Sequence, residues 1–146
     1  MLKFDSFLMI ASAGFLATYV HMMFALWADR YGLVRLDFPH GISMLSFGKA
    51  FDGHPPYWLG LVAVHLNGIV FALLYATVVG AHLPGPPIVR GLIWGGILWI
   101  GSQCVFNPFI THHGFFARKL HPRAWQTAVL VHAIYGGVLG WLSPIV

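Results

Sequence analysis

Four long apolar runs, at about 6–27, 57–80, 88–110 and 124–143, leave this chain few folds to choose from. Each is close to the ~20 residues an α-helix needs to cross about 30 Å of hydrocarbon. Lipid offers a backbone no water to bond, so such a run must satisfy its own N–H and C=O groups, as a helix does. Composition agrees: 58% of residues are hydrophobic and only 8% are charged, about a third of the charged share of a soluble domain. The expectation is an all-α, four-transmembrane-helix bundle. It forms one integral membrane domain over residues 1–146, because four such helices must bury one another's polar faces. The first run continues to Trp27, too long for the apolar region of a signal peptide. Ala11-Ser12-Ala13 falls too early for cleavage, so an uncleaved first helix is expected. Cys104 is the single cysteine, which excludes an intramolecular disulfide and Cys-based metal clusters.

Basic residues outnumber acidic ones eight to four, and Glu is absent. Arg30, Arg35 and Lys49 lie between the first and second runs, and Arg118, Lys119 and Arg123 between the third and fourth; only Lys3 and Arg90 lie on the other side. Concentrated in two connections, this charge reads as membrane topology rather than nucleic-acid binding. It predicts a multi-pass protein with both long loops in the cytoplasm and both termini outside.

The connections carry their own signals. Within the first, PHGISMLSFGKAF sets Ile42, Leu45 and Phe51 among Ser43, Ser46 and Lys49. That pattern reads either as a short amphipathic helix in the membrane interface or as a loop packed across the mouth of the bundle. The second, AHLPGPPIVR, is a compact turn whose prolines and glycine stop one helix and set up the next. The third, THHGFFARKLHPR, mixes aromatic, basic and histidine residues as interfacial segments do.

Helices in lipid approach closely where small residues recur every fourth position. The second run has Gly68, Ala72, Ala76 and Gly80 in such a row, and the fourth has Ala128, His132, Gly136 and Gly140. The first has Ala13 and Ala17 with Gly14 and Thr18 beside them; the third has Gly91 and Gly95, with Gly96 leading at helical spacing to Gln103 and Asn107. These rows are the expected helix–helix seams.

Three histidines fall inside the runs: His21, His65 and His132. An ionisable ring in a membrane helix is expensive and usually faces a bundle interior. His132 belongs to a small-residue row, His65 lies three residues before Gly68, and His21 three after Thr18, so all three rings should point inward. With Gln103 and Asn107 they form an expected polar layer, about 10–15 Å deep at ~1.5 Å per residue. One reading is a hydrogen-bonded network joining four helices. Another is axial ligation of a haem b by two imidazoles, since glycine lets a flat macrocycle approach the backbone. Ligation of zinc or copper by all three rings is a third. An oligomeric small transporter would also use buried histidines. No two histidines stand three or four residues apart on one run, so a di-iron box is not expected.

From Tyr57 onward, over residues about 57–143, the chain resembles small bacterial inner-membrane proteins of the YagU-like type. The matching elements are Trp58-Leu59-Gly60, His65 with Gly68, Leu74-Tyr75, Leu83-Pro84-Gly85, Arg90-Gly91 with Gly95, Pro108, and His132 with Tyr135-Gly136 and Gly140. The resemblance implies a four-helix bundle in the inner membrane and carries no established activity. The sequence is therefore read as a non-catalytic membrane subunit that packs against other integral membrane subunits or itself, among lipid. The setting would be an electron-transfer or photosynthetic complex. A haem- or metal-binding redox protein and an oligomeric transporter are the alternatives.

Overall fold

The computed structural model describes residues 2–146. They are mostly helical, with no strand among the described residues. Five α-helices follow in order: α1 (Phe4–Leu26), α2 (Phe38–Phe47), α3 (Tyr57–Leu74), α4 (Pro87–Gly101) and α5 (Ala124–Leu142). Three spans are long and apolar enough to cross a membrane: Phe4–Leu26, Tyr57–His82 and Pro87–Ile110. This is the construction of an integral membrane protein. The 19 residues of α5 are less apolar, because Gln126, Thr127 and His132 dilute them, and α5 is not among the three.

Bulk is distributed inside out relative to a soluble protein. The buried positions are dominated by small side chains, among them Ala13, Ala17, Ala25, Ala72, Ala76, Ala124 and Ala128. Large apolar side chains such as Phe4, Phe15, Leu66, Phe109 and Trp141 stand exposed on the outside. Lipid tails solvate a leucine as well as a protein core does, so the gain from helix contact comes from close packing and small residues go inside.

Two seams carry that packing. Along α4 and α5 the backbones touch: a methyl added at Gly91 would lie 2.6 Å from the Gly140 Cα, and one at Gly140 would lie 2.9 Å from the Gly91 Cα. Added methyls at Gly95 and Gly136 would run into the His132 and Gly91 carbonyls respectively. Along α1 and α3, a methyl at Gly14 would lie 2.6 Å from the Ala72 Cβ, and one at Gly68 would strike Thr18. Gly68, Ala72, Gly91, Gly95, Gly136 and Gly140 all lie where the small-residue rows place them. Gly96 does not pack: an added methyl there would meet nothing within 4 Å.

The expected connections differ in detail from what forms. The amphipathic stretch is a helix, α2, capped by Asp37, whose carboxylate accepts from the His40 N–H at 3.0 Å. Asp37 also accepts from the Tyr57 hydroxyl at 3.2 Å and lies 3.6 Å from the Arg35 guanidinium. α2 docks on the start of α3: Ser43 is buried and donates to the Pro56 carbonyl at 3.0 Å, and Gly60 lies against the Pro39 backbone. Beyond α3 and α4 the helices widen into π turns, over Tyr75–Val79 and Ser102–Ile110. The second contains Pro108, which has no N–H to close a regular turn. Along the row from Gly96 through Gln103 to Asn107, Gly96 has open space around it and Gln103 is buried.

The seam contact sets a measurable asymmetry. Gly136→Leu should lower thermal stability in detergent by about 1–3 kcal/mol or block assembly, since overpacked side chains force backbones apart. Gly96→Leu, with open space around it, should leave the melting temperature nearly unchanged. Equal stability of the two variants would contradict the backbone contact between α4 and α5.

Candidate functional site

The three histidines of the long helices are held the same way. The His65 Nδ1–H donates to the Leu61 carbonyl at 2.8 Å, the His132 Nδ1–H to the Ala128 carbonyl at 2.7 Å, and the His21 Nδ1–H to the Ala17 carbonyl at 3.3 Å. A carbonyl can only accept, so in each neutral ring the proton sits on Nδ1 and Nε2 keeps its lone pair. The donor is satisfied inside the ring's own helix, four residues back, without help from a neighbouring helix.

The surroundings of the three rings differ. His65 is buried with its Nε2 unpartnered, and the Phe15 ring covers it at a centroid distance of 4.6 Å. His21 is half-buried and lies between Phe38 and Tyr135, each 5.7 Å away by ring centroid, the Tyr135 ring edge-on. His132 is half-buried and lines a groove of about 160 Å³ on the flank of α4 and α5 with Leu92, Gly95, Gly96, Trp99, Val129 and Ala133. That volume takes one ring and its substituents and falls below the ~300–1,000 Å³ of sites that enclose drug-sized ligands.

The polar layer expected from sequence is only partly assembled. His21, His65 and His132 all lie at helix contacts. Among the described residues, however, no hydrogen bond joins them to one another, to Gln103 or to Asn107. Gln103 is buried and donates to the Ser102 hydroxyl at 2.8 Å, leaving its Oε1 without a partner. Asn107 serves the end of its helix: its backbone carbonyl accepts from the His113 N–H at 2.9 Å and from the Thr111 hydroxyl at 3.1 Å. Among the described residues no three His, Cys, Asp or Glu side chains come together in a group that could hold a metal ion. The three rings thus do not form the trigonal ligand set that zinc or copper would need.

Tyr135, named in the sequence only as part of the family resemblance and given no role, makes the interhelical link. Tyr135, buried on α5, donates to the Gly68 carbonyl of α3 at 2.6 Å and presents its ring edge to His21 of α1. One side chain therefore touches three helices. Its position three residues after His132 and beside Gly136 was the available signal, since a tyrosine next to a small-residue row has room to reach across. At the start of α5 the links run to the first connection: Thr127 donates to the Val34 carbonyl at 2.8 Å and Arg123 to the Gly32 carbonyl at 3.1 Å.

No protein-family model, no curated protein and no solved structure matches the chain.

Removing the tyrosine hydroxyl isolates this link. Tyr135→Phe keeps the ring against His21 and loses one bond, so stability should fall by about 0.6 kcal/mol, the usual size of a membrane interhelical hydrogen bond. His65→Gln should cost little as well, because the ring's Nδ1–H bond is intrahelical and the site is covered by Phe15. Thermal unfolding in detergent reads both; a loss of several kcal/mol from His65→Gln would show that its Nε2 holds something.

Proposed function

We propose that the protein is a non-catalytic integral membrane subunit. It is a bundle of four membrane-crossing helices in a bacterial inner membrane, both termini on the non-cytoplasmic side, built to pack against other membrane proteins. The observation that carries this reading is the inverted distribution of bulk, small residues at backbone contacts inside and large apolar side chains outside. α5 counts as the fourth crossing because it runs antiparallel to α4 after a connection, packs against it more extensively than any other pair, and at ~1.5 Å per residue is about 28 Å long. The resemblance to YagU-like proteins supports the same scaffold. Little of the chain stands outside the helices to meet a soluble substrate: the first long loop is pinned to α5 by Arg123 and Thr127, and α2 is docked on α3. A larger electron-transfer or photosynthetic complex is the setting this design suits.

Purification of the tagged chain from native membranes in a mild detergent tests the reading. Larger membrane proteins should accompany it in fixed ratio, and recovery of the chain alone in every mild detergent would overturn it. A C-terminal alkaline phosphatase fusion should be active, from the six-to-two distribution of basic residues. A fluorescent cytoplasmic fusion with an inactive phosphatase fusion would reverse the topology.

One observation favours a second reading, a haem b protein. Anchoring Nδ1–H to a backbone carbonyl while Nε2 stays free is how metal-ligating histidines are commonly oriented, and His21, His65 and His132 all show it. For His65 to serve, Phe15 would have to move off the ring. A Soret band with split α and β bands on reduction selects this reading; a flat visible spectrum removes it.

A further inference from the structure

Asn67 lies in the apolar span Tyr57–His82 and faces outward, between exposed Leu66 and Val70. Ten residues separate it from Tyr57, which at ~1.5 Å per residue places it about 15 Å into a ~30 Å hydrocarbon layer, near the midplane. Its carboxamide offers two N–H donors and an oxygen with two lone pairs. Among the described residues it makes no side-chain hydrogen bond. Hydroxyl side chains on these helices satisfy themselves on the carbonyl four residues back, as Thr77 does with Leu73 at 2.7 Å and Thr18 with Gly14 at 2.7 Å. Asn67 does not, and at one methylene from the backbone it is too short to reach the interface as lysine or arginine would. An amide left unbonded in hydrocarbon is costly, so the outward face of α3 calls for a polar partner at that depth.

We infer that this face is the contact between two copies of the chain, with the two Asn67 carboxamides hydrogen-bonded to each other across a two-fold axis. A carboxamide is its own complement, donor to acceptor and acceptor to donor, and a two-fold contact brings a residue near the axis against itself. The flanking positions fit a helix pair. Ala63, Asn67, Val70 and Leu74 follow at steps of four, three and four, the spacing of the apolar seam in a left-handed two-helix contact. Val70 and Leu74 are exposed and Ala63 is half-exposed, and the stripe carries no charge. An asparagine in such a seam sets register and pairs two strands in preference to more. α1 and α2 both pack on α3, and Asn67, Val70 and Leu74 stay exposed beside them. The inference rests on the membrane-subunit reading, and it names the partner of one particular face.

The full-length protein in lipid nanodiscs and in mild detergent tests it, by native mass spectrometry and by cross-linking. Wild type should be dimeric. Asn67→Leu should weaken the dimer roughly five- to thirtyfold, the range expected for one polar contact between membrane helices, while Asn67→Gln should retain it. In a Cys104→Ser background, Val70→Cys should form a disulfide-linked dimer under mild oxidation and Leu130→Cys on α5 should not. A monomeric wild type, or a dimer unchanged by Asn67→Leu, would overturn the inference. So would cross-linking of Val70→Cys to a different membrane protein instead of to a second copy. Absence of larger partners in native membranes would count against the proposed function and leave the dimer test standing.

Discussion

The contact of bare backbone on bare backbone between α4 and α5 is what the rest of the structure depends on. At Gly91, Gly95, Gly136 and Gly140 there is no side chain between the helices, and one added methyl at any of them meets the opposite main chain. In lipid no hydrophobic drive holds two apolar helices together, so dispersion and close approach must do it. Seating α5 against α4 in this way also fixes its rotation. The Tyr135 hydroxyl then reaches the Gly68 carbonyl, and the Tyr135 ring meets His21. The α1–α3 pair, joined through Gly14, Thr18, Gly68 and Ala72, is tied to the α4–α5 pair by that bond and by direct packing of α1 on α5, as at Ala25, Ala128 and Val131.

Polar groups in the long helices are managed mostly within single helices. His21, His65 and His132 each return the Nδ1–H to the carbonyl four residues back, and Thr18 and Thr77 do the same with their hydroxyls. The energetic consequence is modest coupling between helices through side chains and strong dependence on the glycine and alanine seams. It also leaves three imidazole lone pairs in neighbouring places, one beneath Phe15, one beside Tyr135 and one at the α4–α5 groove. Those are separate microenvironments rather than a single centre.

Much of this was legible in the residues. The apolar runs marked the long helices, and rows of Gly and Ala at every fourth position marked the seams, because both signals are local and follow from the helix period. The mixed apolar and polar pattern of PHGISMLSFGKAF left a helix and a packed loop both open, and the helix α2 forms there. The π turns after α3 and α4 were not legible: nothing in Tyr75–Val79 departs from an ordinary helical run, and Pro108 alone does not say how a helix will accommodate it. Tyr135 and Asn67 escaped for a different reason. Whether a polar side chain on a membrane helix points inward or outward depends on the rotation of that helix against its neighbours, a tertiary quantity.

α5, the long helix that is not among the three apolar spans, bears most directly on whether the bundle has four membrane crossings. Nitroxide labels placed singly at Trp125, Leu130, Ile134, Val138 and Trp141 in reconstituted protein, each in a Cys104→Ser background, would report collisions with oxygen and with a water-soluble nickel chelate. A membrane-crossing α5 sealed against α4 predicts oxygen-rich, chelate-poor collisions at Leu130, Ile134 and Val138, with chelate access rising only toward Trp125 and Trp141. Chelate access at Leu130, Ile134 and Val138 as high as at the two ends would contradict it.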